Sequence, residues 1–219
     1  MSPWFVADVM TTDVISVYED TPFKQIVDLF ESHSINAVPV IDSDRRVLGV
    51  VSSADLLPKI EFAADHNLHP FADRRLRLAH DKAAGIAAAD LMTAPATTIQ
   101  SDATLVRAAS LLDAGRLKRL PVVDGAGRLA GIVTRDDLLK VFLRGDNAIQ
   151  RDVTDEILSR LPRHDRDQIT VEVDDGIVTL LGKVDHPLLL RPVIESAEAV
   201  PGVIEVLSYI TTDEDDLVG

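Results

Sequence analysis

An internal repeat constrains the fold of this chain more than any other feature of its sequence. The segment GIVTRDDLL, which begins at Gly131, resembles GVVSSADLL, which begins 82 residues earlier at Gly49. The same shift places VMTTD at Val9 onto LMTAP at Leu91, and VPVID onto LPVVD, without a gap. Each copy of roughly 55 residues is therefore one structural module that occurs twice.

The residue pattern of the first copy predicts the order strand, helix, strand, strand, helix. The segments DVISV from Asp13, AVPVI from Ala37 and VLGVVS from Val47 favour short strands. A helix near Ser53 follows the last of them. The first helix is indicated by apolar residues at the spacing of one helical face, which are Phe23, Ile26, Val27 and Phe30.

Composition and charge exclude several classes of protein. The chain has 219 residues, 46% of them hydrophobic, which is enough to bury one large core or two smaller ones. A net charge of −14 disfavours binding to nucleic acid or to anionic lipid, since both require basic residues. The absence of cysteine excludes disulfides and thiolate chemistry. With no signal peptide or membrane span evident, we expect a cytoplasmic protein.

One motif recurs where the last strand of each copy meets its last helix. A hydroxyl residue is followed by an aspartate three positions later, as Ser52 with Asp55 and as Thr134 with Asp137. This spacing is that of a capping box, in which both side chains bind backbone N–H groups of the helix. It is also suited to a ligand site, because an aspartate at a helix start can accept hydrogen bonds from ribose hydroxyls.

Both copies resemble CBS domains, through VMTTDVISV, INAVPVID and GVVSSADLL in the first and LMTAPATTI, LKRLPVVD and GIVTRDDLL in the second. The resemblance covers residues 6–60 and 88–142. It implies an α+β fold in which two β-α-β-β-α repeats pack with pseudo-twofold symmetry. It also implies two clefts between the repeats that bind adenosine-containing ligands such as AMP, ADP, ATP, S-adenosylmethionine or a dinucleotide, with no covalent cofactor.

The family pattern implies two unequal pockets. The first combines Ser52 and Asp55 with residues of the second repeat, namely Ala96, Thr97, Lys118 and Arg119. The second combines Thr134 and Asp137 with residues of the first repeat, namely Val14, Ile15, Asn36 and Ala37. Only the first pocket has cations, which either bind phosphate or form a solvated rim; we expect phosphorylated adenosine to prefer it.

The insert at residues 61–87 is long for a connection inside a compact domain. Residues 73–85, DRRLRLAHDKAAG, predict a basic helix, either a solvated cover or a docking element for a partner. Asp65, His66 and His69 lie close in sequence, but two histidines and one aspartate in a loop are weak evidence for a metal site. We therefore predict no metal site.

Residues 147–212 predict a separate small domain in the order helix, hairpin, helix, strand. Its first helix has an apolar stripe formed by Ile149, Val153, Ile157 and Leu161, and its last strand is expected over Val203–Ile210. Pro192 within the second helix should remove an intrahelical hydrogen bond. The segments VEVDDGIVTLLGKV and AVPGVIEV resemble a BON domain, which is associated with membranes. From residue 147 onward, however, six Lys and Arg stand against sixteen Asp and Glu, so anionic lipid should repel this module. A contact with an unidentified protein is the favoured role, and residues 213–219 predict a solvated acidic tail.

Three functional classes follow from these observations. The favoured one is a regulatory protein that senses an adenosine nucleotide and relays the signal through conformational change or a partner. The alternative is a dimerising scaffold with vestigial pockets, or BON-mediated membrane association. The third is an enzyme, which we do not expect, because no histidine accompanies a recognisable catalytic motif. The family resemblance also implies a homodimer.

Overall fold

A computed structural model describes residues 4–61, 82 and 84–212 of the chain. The chain divides into two compact units, one formed by residues 6–135 and the other mainly by residues from 136 onward. Only Lys82, Ala84 and Gly85 of the predicted basic helix are described. The group of Asp65, His66 and His69 and the predicted acidic tail lie outside the described residues.

The unit of residues 6–135 contains two three-stranded sheets of the same topology. In each sheet the first strand pairs in parallel with the second, and the second pairs in antiparallel with the third. The strands of the first repeat are β1 Val17–Tyr18, β2 Ala37–Ile41 and β3 Val47–Ser52. Those of the second are β4 Ile99–Gln100, β5 Arg119–Val123 and β6 Leu129–Thr134.

The helices confirm the predicted β-α-β-β-α order and add one short helix at the start of each repeat and another at the end of the first repeat. The first repeat has α1 Val6–Val9, α2 Phe23–Ser32, α3 Ser53–Leu56 and α4 Pro58–Glu61. The second repeat has α5 Ala88–Leu91, α6 Leu105–Ala114 and α7 Arg135–Leu139, after which a 3-10 turn spans Lys140–Leu143.

The first strand of the first repeat is shorter than the sequence predicts. It was expected over Asp13–Val17, but only Val17 and Tyr18 pair with the next strand, opposite Val40 and Ile41. The preceding residues form a turn instead, in which the Val14 backbone N–H donates to the Thr12 carbonyl oxygen at 3.1 Å. Alternating apolar residues therefore indicate this segment's position but not its hydrogen bonding.

The two repeats bind each other through reciprocal backbone hydrogen bonds. The Val6 N–H donates to the Ala103 carbonyl at 2.8 Å, and its counterpart 82 positions on, Ala88, donates to Thr21 at 2.9 Å. A bridge between Thr11 and Ile132 has the equivalent counterpart between Val50 and Thr93. Each repeat thus extends the last strand of the other, which accounts for the pseudo-twofold symmetry.

The repeated glycines of the opening motif lie at this junction. A Cβ atom added to Gly49 would lie 2.5 Å from the Met92 sulfur, and one added to Gly131 would lie 2.6 Å from the Met10 sulfur. In each case the methionine comes from the other repeat. The absence of a side chain in both GVV and GIV therefore leaves room for the first segment of the opposite repeat.

The C-terminal unit is a three-stranded sheet with two helices. Its elements are α8 Asp146–Arg160, β7 Ile169–Asp174, β8 Ile177–Val184, α9 Leu190–Glu198 and β9 Glu205–Thr212. Strand β8 is central, antiparallel to β7 and parallel to β9. The predicted stripe of α8 is buried, together with residues of the sheet and α9: Ile149, Val153, Ile157, Leu161, Val178, Leu180, Val193 and Ala197.

Two details of this unit differ from the sequence prediction. Strand β9 was expected over Val203–Ile210 but spans Glu205–Thr212, because its parallel pairing with β8 runs from Ile177 to Val184. Pro192 was expected to remove an intrahelical hydrogen bond. It lies in the first turn of α9, where a backbone N–H has no partner within the helix in any case.

Candidate functional site

A cavity of about 310 Å³ lies at the junction of the two repeats, within the size range of small-molecule pockets. The end of β3 and the start of α3 form one wall, and the segments that precede β4 and β5 form the other. It is lined by Asn36, Ala37, Val50, Ser52, Ser53, Ala54, Asp55, Thr93, Pro95, Ala96, Thr97, Arg116, Leu117, Lys118, Arg119 and Pro121.

The cavity contains every residue that the family pattern assigned to the first pocket. Ser52 and Asp55 contribute from the first repeat, and the second repeat contributes Ala96, Thr97, Lys118 and Arg119. These residues come from three separate parts of the chain. The reciprocal pairing of the repeats brings them together, because the Ala96 N–H donates to the carbonyl of Leu48 on the opposite repeat at 3.2 Å.

Asp55 caps the helix that begins at Ser53 and also borders the cavity. Its Oδ2 accepts from the Ser52 backbone N–H at 2.8 Å and from the Ser52 hydroxyl at 2.6 Å. The capping interpretation of the Ser-x-x-Asp motif is therefore correct in its geometry. It does not exclude the ligand interpretation, because the same side chain lines the cavity.

The other carboxylate oxygen of Asp55 has partners from outside its own helix. The Lys82 ammonium, from the insert, forms a short ion pair with Oδ1, and the Thr93 hydroxyl donates to Oδ1 at 3.3 Å. Lys82 also donates to the Thr93 hydroxyl oxygen at 3.1 Å. The side chains of Lys82 and Asp55 are 18% and 13% exposed, so this ion pair is only weakly screened by water.

A second capping aspartate, Asp90, provides a comparison with Asp55. Its Oδ2 accepts from the backbone N–H groups of Ile86 at 3.0 Å and Ala87 at 3.1 Å, at the start of α5. These two bonds lower the pKa of Asp90 from its usual value. Asp90 is absent from the cavity lining, so it performs the capping role without bordering a ligand site.

The cavity carries positive charge in a strongly acidic chain. Among the described residues that line it, three are cationic, Arg116, Lys118 and Arg119, and one, Asp55, is acidic. Burial lowers the pKa of the Arg119 guanidinium, which is nevertheless charged at neutral pH, as arginine in proteins always is. A half-buried guanidinium of this kind is suited to binding an anion.

Asn36 and Ala37 lie in the cavity beside Asp55, whereas the family pattern implied that they belong to the pocket of Asp137. The Arg119 guanidinium donates a short hydrogen bond to the Asn36 side-chain oxygen. Asn36 and Lys118 occupy equivalent places, one on each repeat, just before β2 and β5. The pseudo-twofold symmetry brings these two strand starts together, so the residues before β2 also line the Asp55 cavity.

The other residues predicted for the second pocket lie in α7, at the end of β6 and before β1. Asp137 lies in α7, is 7% exposed, and accepts from the Lys140 ammonium at 2.6 Å. Thr134 ends β6 and is half-buried. Val14 and Ile15 precede β1 and are also half-buried. The buried, ion-paired Asp137 thus resembles Asp55 in having a lysine partner, although its lysine comes from the same turn.

Sequence reasoning missed three polar residues at or near the cavity. Arg116 belongs to the same GRLKRL segment as Lys118. It could therefore have been predicted to bind phosphate together with Lys118 and Arg119. Thr93 follows Met92 in the repeated motif, and its counterpart Thr11 carried no separate signal. Lys82 belongs to the unrepeated insert, so neither the repeat nor the family pattern could place it beside Asp55.

Comparison with known protein families matches most of the chain to two of them. Residues 6–61 and 88–144 match the CBS domain family, and residues 145–214 match the BON domain family. An uncharacterised protein of Methanocaldococcus jannaschii is 29% identical over 154 residues, 63% of this chain and 90% of that protein. The chloroplastic CBS domain-containing protein CBSX2 of Arabidopsis thaliana is 32% identical over 151 residues, 64% of this chain and 63% of that protein.

Solved structures show the same fold for the repeats. The crystal structure of CBSX2 in complex with AMP has a TM-score of 0.57 at 31% identity, and it covers 64% of this chain and 97% of that one. A CBS domain pair crystallised with 5′-methylthioadenosine and S-adenosylmethionine has a TM-score of 0.50 at 20% identity, covering 64% of this chain and 97% of that one, which supports the fold alone.

None of the described helices has both the length and the apolar character that crossing a bilayer requires. The family matches, the duplicated sheets with their reciprocal pairing, and the C-terminal three-stranded unit all agree. The chain belongs to the CBS domain family, as a tandem CBS protein with a C-terminal BON domain.

Proposed function

We propose that this protein is a regulatory sensor that binds a phosphorylated adenosine in the cavity beside Asp55. The observation that carries the proposal is the charge of the cavity lining, with three cations and one carboxylate in a chain of net charge −14. Such a lining attracts an anion through its cations and retains one acceptor for hydroxyl groups. The related CBSX2, whose structure was determined in complex with AMP, supports this ligand class.

Each group in the cavity has a role in this proposal. Asp55 accepts hydrogen bonds from the ribose hydroxyls, since a carboxylate can accept from two neighbouring donors. Arg119 and Lys118, with Arg116 nearby, bind the phosphate. Ala96 and Thr97 form the wall against which the base packs. Asp137 contributes less to nucleotide binding than Asp55. Binding itself is the signal, and no catalytic step is required.

The test is a comparison of adenosine, AMP, ADP, ATP and S-adenosylmethionine on the full chain by thermal shift and calorimetry. A ligand at 100 times its dissociation constant stabilises a fold by about 2.7 kcal/mol, which a melting curve resolves. We expect AMP, ADP or ATP to bind at least about tenfold more tightly than adenosine, about 1.4 kcal/mol, because the cations contact the phosphate.

Two variants locate the site. Asp55→Asn is expected to reduce this binding by about tenfold or more, whereas Asp137→Asn should leave the tightest site in place. Asp90→Asn is the matched control, because it removes a capping carboxylate that does not border the cavity. If Asp137→Asn alone abolishes nucleotide binding, or if no adenosine compound stabilises the chain, this proposal is wrong and the scaffold role is favoured.

Lys82 gives a further prediction, because it already occupies an oxygen of Asp55. A ribose that binds this carboxylate must compete with the Lys82 ammonium, so Lys82→Met is expected to tighten nucleotide binding by about three- to tenfold. Lys24→Met, on the exposed surface of α2, is the control of the same chemistry. Weaker binding by Lys82→Met would show instead that the ammonium contacts the ligand.

The same ion pair offers a route for the signal. Lys82 belongs to the insert. A ligand that displaces its ammonium from Asp55 therefore removes an ion pair between the insert and the first repeat. The insert or the C-terminal unit then presents the change to a partner.

We also propose that two copies of this chain form a homodimer. Val27 and Val106, on the outer surfaces of α2 and α6, are 37% and 76% exposed and provide apolar contact area.

A further inference from the structure

A histidine and two aspartates come together in the C-terminal unit, far from the cavity in sequence. His164 and Asp165 lie in the connection between α8 and β7, and Asp185 follows the last residue of β8. One potential ligand atom from each of these three side chains lies within 4.8 Å of the other two. We refer to His164, Asp165 and Asp185 as the His164 cluster.

Asp165 is the unusual member of this cluster. Its side chain is fully buried, and its Oδ2 has no hydrogen-bond partner among the described residues. Within the part of the chain that the structure describes, its Oδ1 accepts one long bond, 3.4 Å, from the Asp185 backbone N–H. A buried carboxylate oxygen without a partner is unfavourable, and native structures usually compensate such a group with a cation, a donor or an ion.

The neighbouring side chains do not supply enough compensation. The His164 Nε2 atom lies 3.6 Å from Asp165 Oδ1, beyond hydrogen-bond distance, and 3.0 Å from Asp185 Oδ2. Arg166, the next residue, directs its guanidinium to the Leu161 carbonyl oxygen at 3.1 Å instead. The two carboxylates therefore share one imidazole, which can carry at most one positive charge.

The distances agree with those of a metal site. Two ligands of a tetrahedral zinc ion, each about 2.1 Å from the metal, lie about 3.4 Å apart. The two distances from His164 Nε2, 3.0 and 3.6 Å, bracket this value. The exposed fractions of His164 and Asp185, 60% and 47%, leave solvent access from one side, while Asp165 closes the other.

We propose that the His164 cluster binds one divalent transition-metal ion, with Zn²⁺ as the best fit. The imidazole nitrogen favours zinc and its neighbours over Mg²⁺ and Ca²⁺, which prefer all-oxygen sites. His164 Nε2 and one oxygen from each aspartate are the protein ligands, and water completes the coordination at the exposed side. The ion neutralises the buried Asp165 carboxylate and ties the α8–β7 connection to the end of β8.

The proposal is tested by calorimetric titration of ZnCl₂ into the full chain after treatment with a chelator. We expect one Zn²⁺ per chain that is lost, or weakened at least about tenfold, in His164→Ala and in Asp185→Asn. Both substituted side chains are largely exposed, so these variants should fold, which circular dichroism checks. Co²⁺ should give a visible absorption band in the wild type that both variants lose, and Mg²⁺ should bind more weakly than Zn²⁺.

Two controls test three of the other histidines. His186→Ala removes an exposed imidazole next to Asp185 in sequence, and His66→Ala/His69→Ala removes the pair in the insert. Both should retain the ion. The proposal is overturned if wild-type protein takes up no stoichiometric Zn²⁺, if His164→Ala and Asp185→Asn bind it as well as the wild type, or if the insert variant alone loses it.

Discussion

Arg119→Ala is expected to weaken AMP binding by about a hundredfold and to change adenosine binding by less than about threefold. The guanidinium lines the cavity, is half-buried, and is held in place by its hydrogen bond to Asn36. A hydrogen bond between charged groups contributes about 1.5–3 kcal/mol, and about 2.7 kcal/mol corresponds to a hundredfold change in affinity. The contrast between the two ligands assigns the loss to the phosphate.

Calorimetry with both ligands on the wild type and three variants is the measurement. Arg119→Lys keeps the charge but loses the planar fork of donors, so its affinity for AMP should lie between those of the wild type and Arg119→Ala. Arg128→Ala is the surface control, because Arg128 pairs with Asp124 in an exposed turn and does not line the cavity. Equal losses of AMP and adenosine binding in Arg119→Ala would indicate a damaged cavity rather than a lost phosphate contact.

The half-buried Arg119 also argues against the interpretation of the repeats as a scaffold that binds no ligand. A scaffold with vestigial pockets does not need a half-buried guanidinium beside a cavity, since burial of an arginine is unfavourable without a partner. Within the described part of the chain, its guanidinium donates to the neutral Asn36 oxygen. An anion in the cavity would supply the missing opposite charge, which connects the energetics of the ligand-free protein with the proposed ligand.

The sequence predicts the parts of the fold that depend on local pattern and on repetition. Strands β2 and β3 span the predicted residues, because apolar residues and turn signals fix both ends. The repeat predicts a symmetric pair, and the reciprocal hydrogen bonds of Val6 and Ala88 agree with it. The short helices α1 and α5 were missed, because they are stabilised by the opposite repeat rather than by their own periodicity.

The candidate site could likewise be predicted only in part. Residues within a local motif were recognised, whereas contacts between distant parts of the chain were not. Ser52 and Asp55 are recognisable from a motif of four residues, and Arg119 lies in a basic segment next to a predicted strand. The contacts of Lys82 with Asp55 and of Asn36 with Arg119 join residues that are 27 and 83 positions apart, and no local signal links them. The His164 cluster likewise spans a complete hairpin between its second and third members, so only the pairing of β7 with β8 brings Asp185 to His164.

Gly182→Ala is expected to destabilise the C-terminal unit by at least about 3 kcal/mol. Gly182 lies in the central strand β8 with a φ of +133°, a conformation that residues with a side chain rarely adopt. A Cβ atom there would overlap the backbone carbonyl oxygen of Gln168. That backbone cannot move away easily, because Gly182 is paired with Ile169 on one side and Ile210 on the other.

Thermal unfolding followed by tryptophan fluorescence measures this effect, because Trp4 is the single tryptophan and belongs to the same unit. For a domain of this size, a loss of about 3 kcal/mol lowers the melting temperature by roughly 12–24 °C. Gly145→Ala is the matched control, since no atom lies within 4 Å of its Cβ position and its φ is −71°. Because Gly145 is a helix N-cap, Gly145→Ala should lower the free energy of unfolding by no more than about 1 kcal/mol. A melting temperature of Gly182→Ala within a few degrees of Gly145→Ala would contradict the strand geometry, because alanine would then fit where the backbone leaves no space for it.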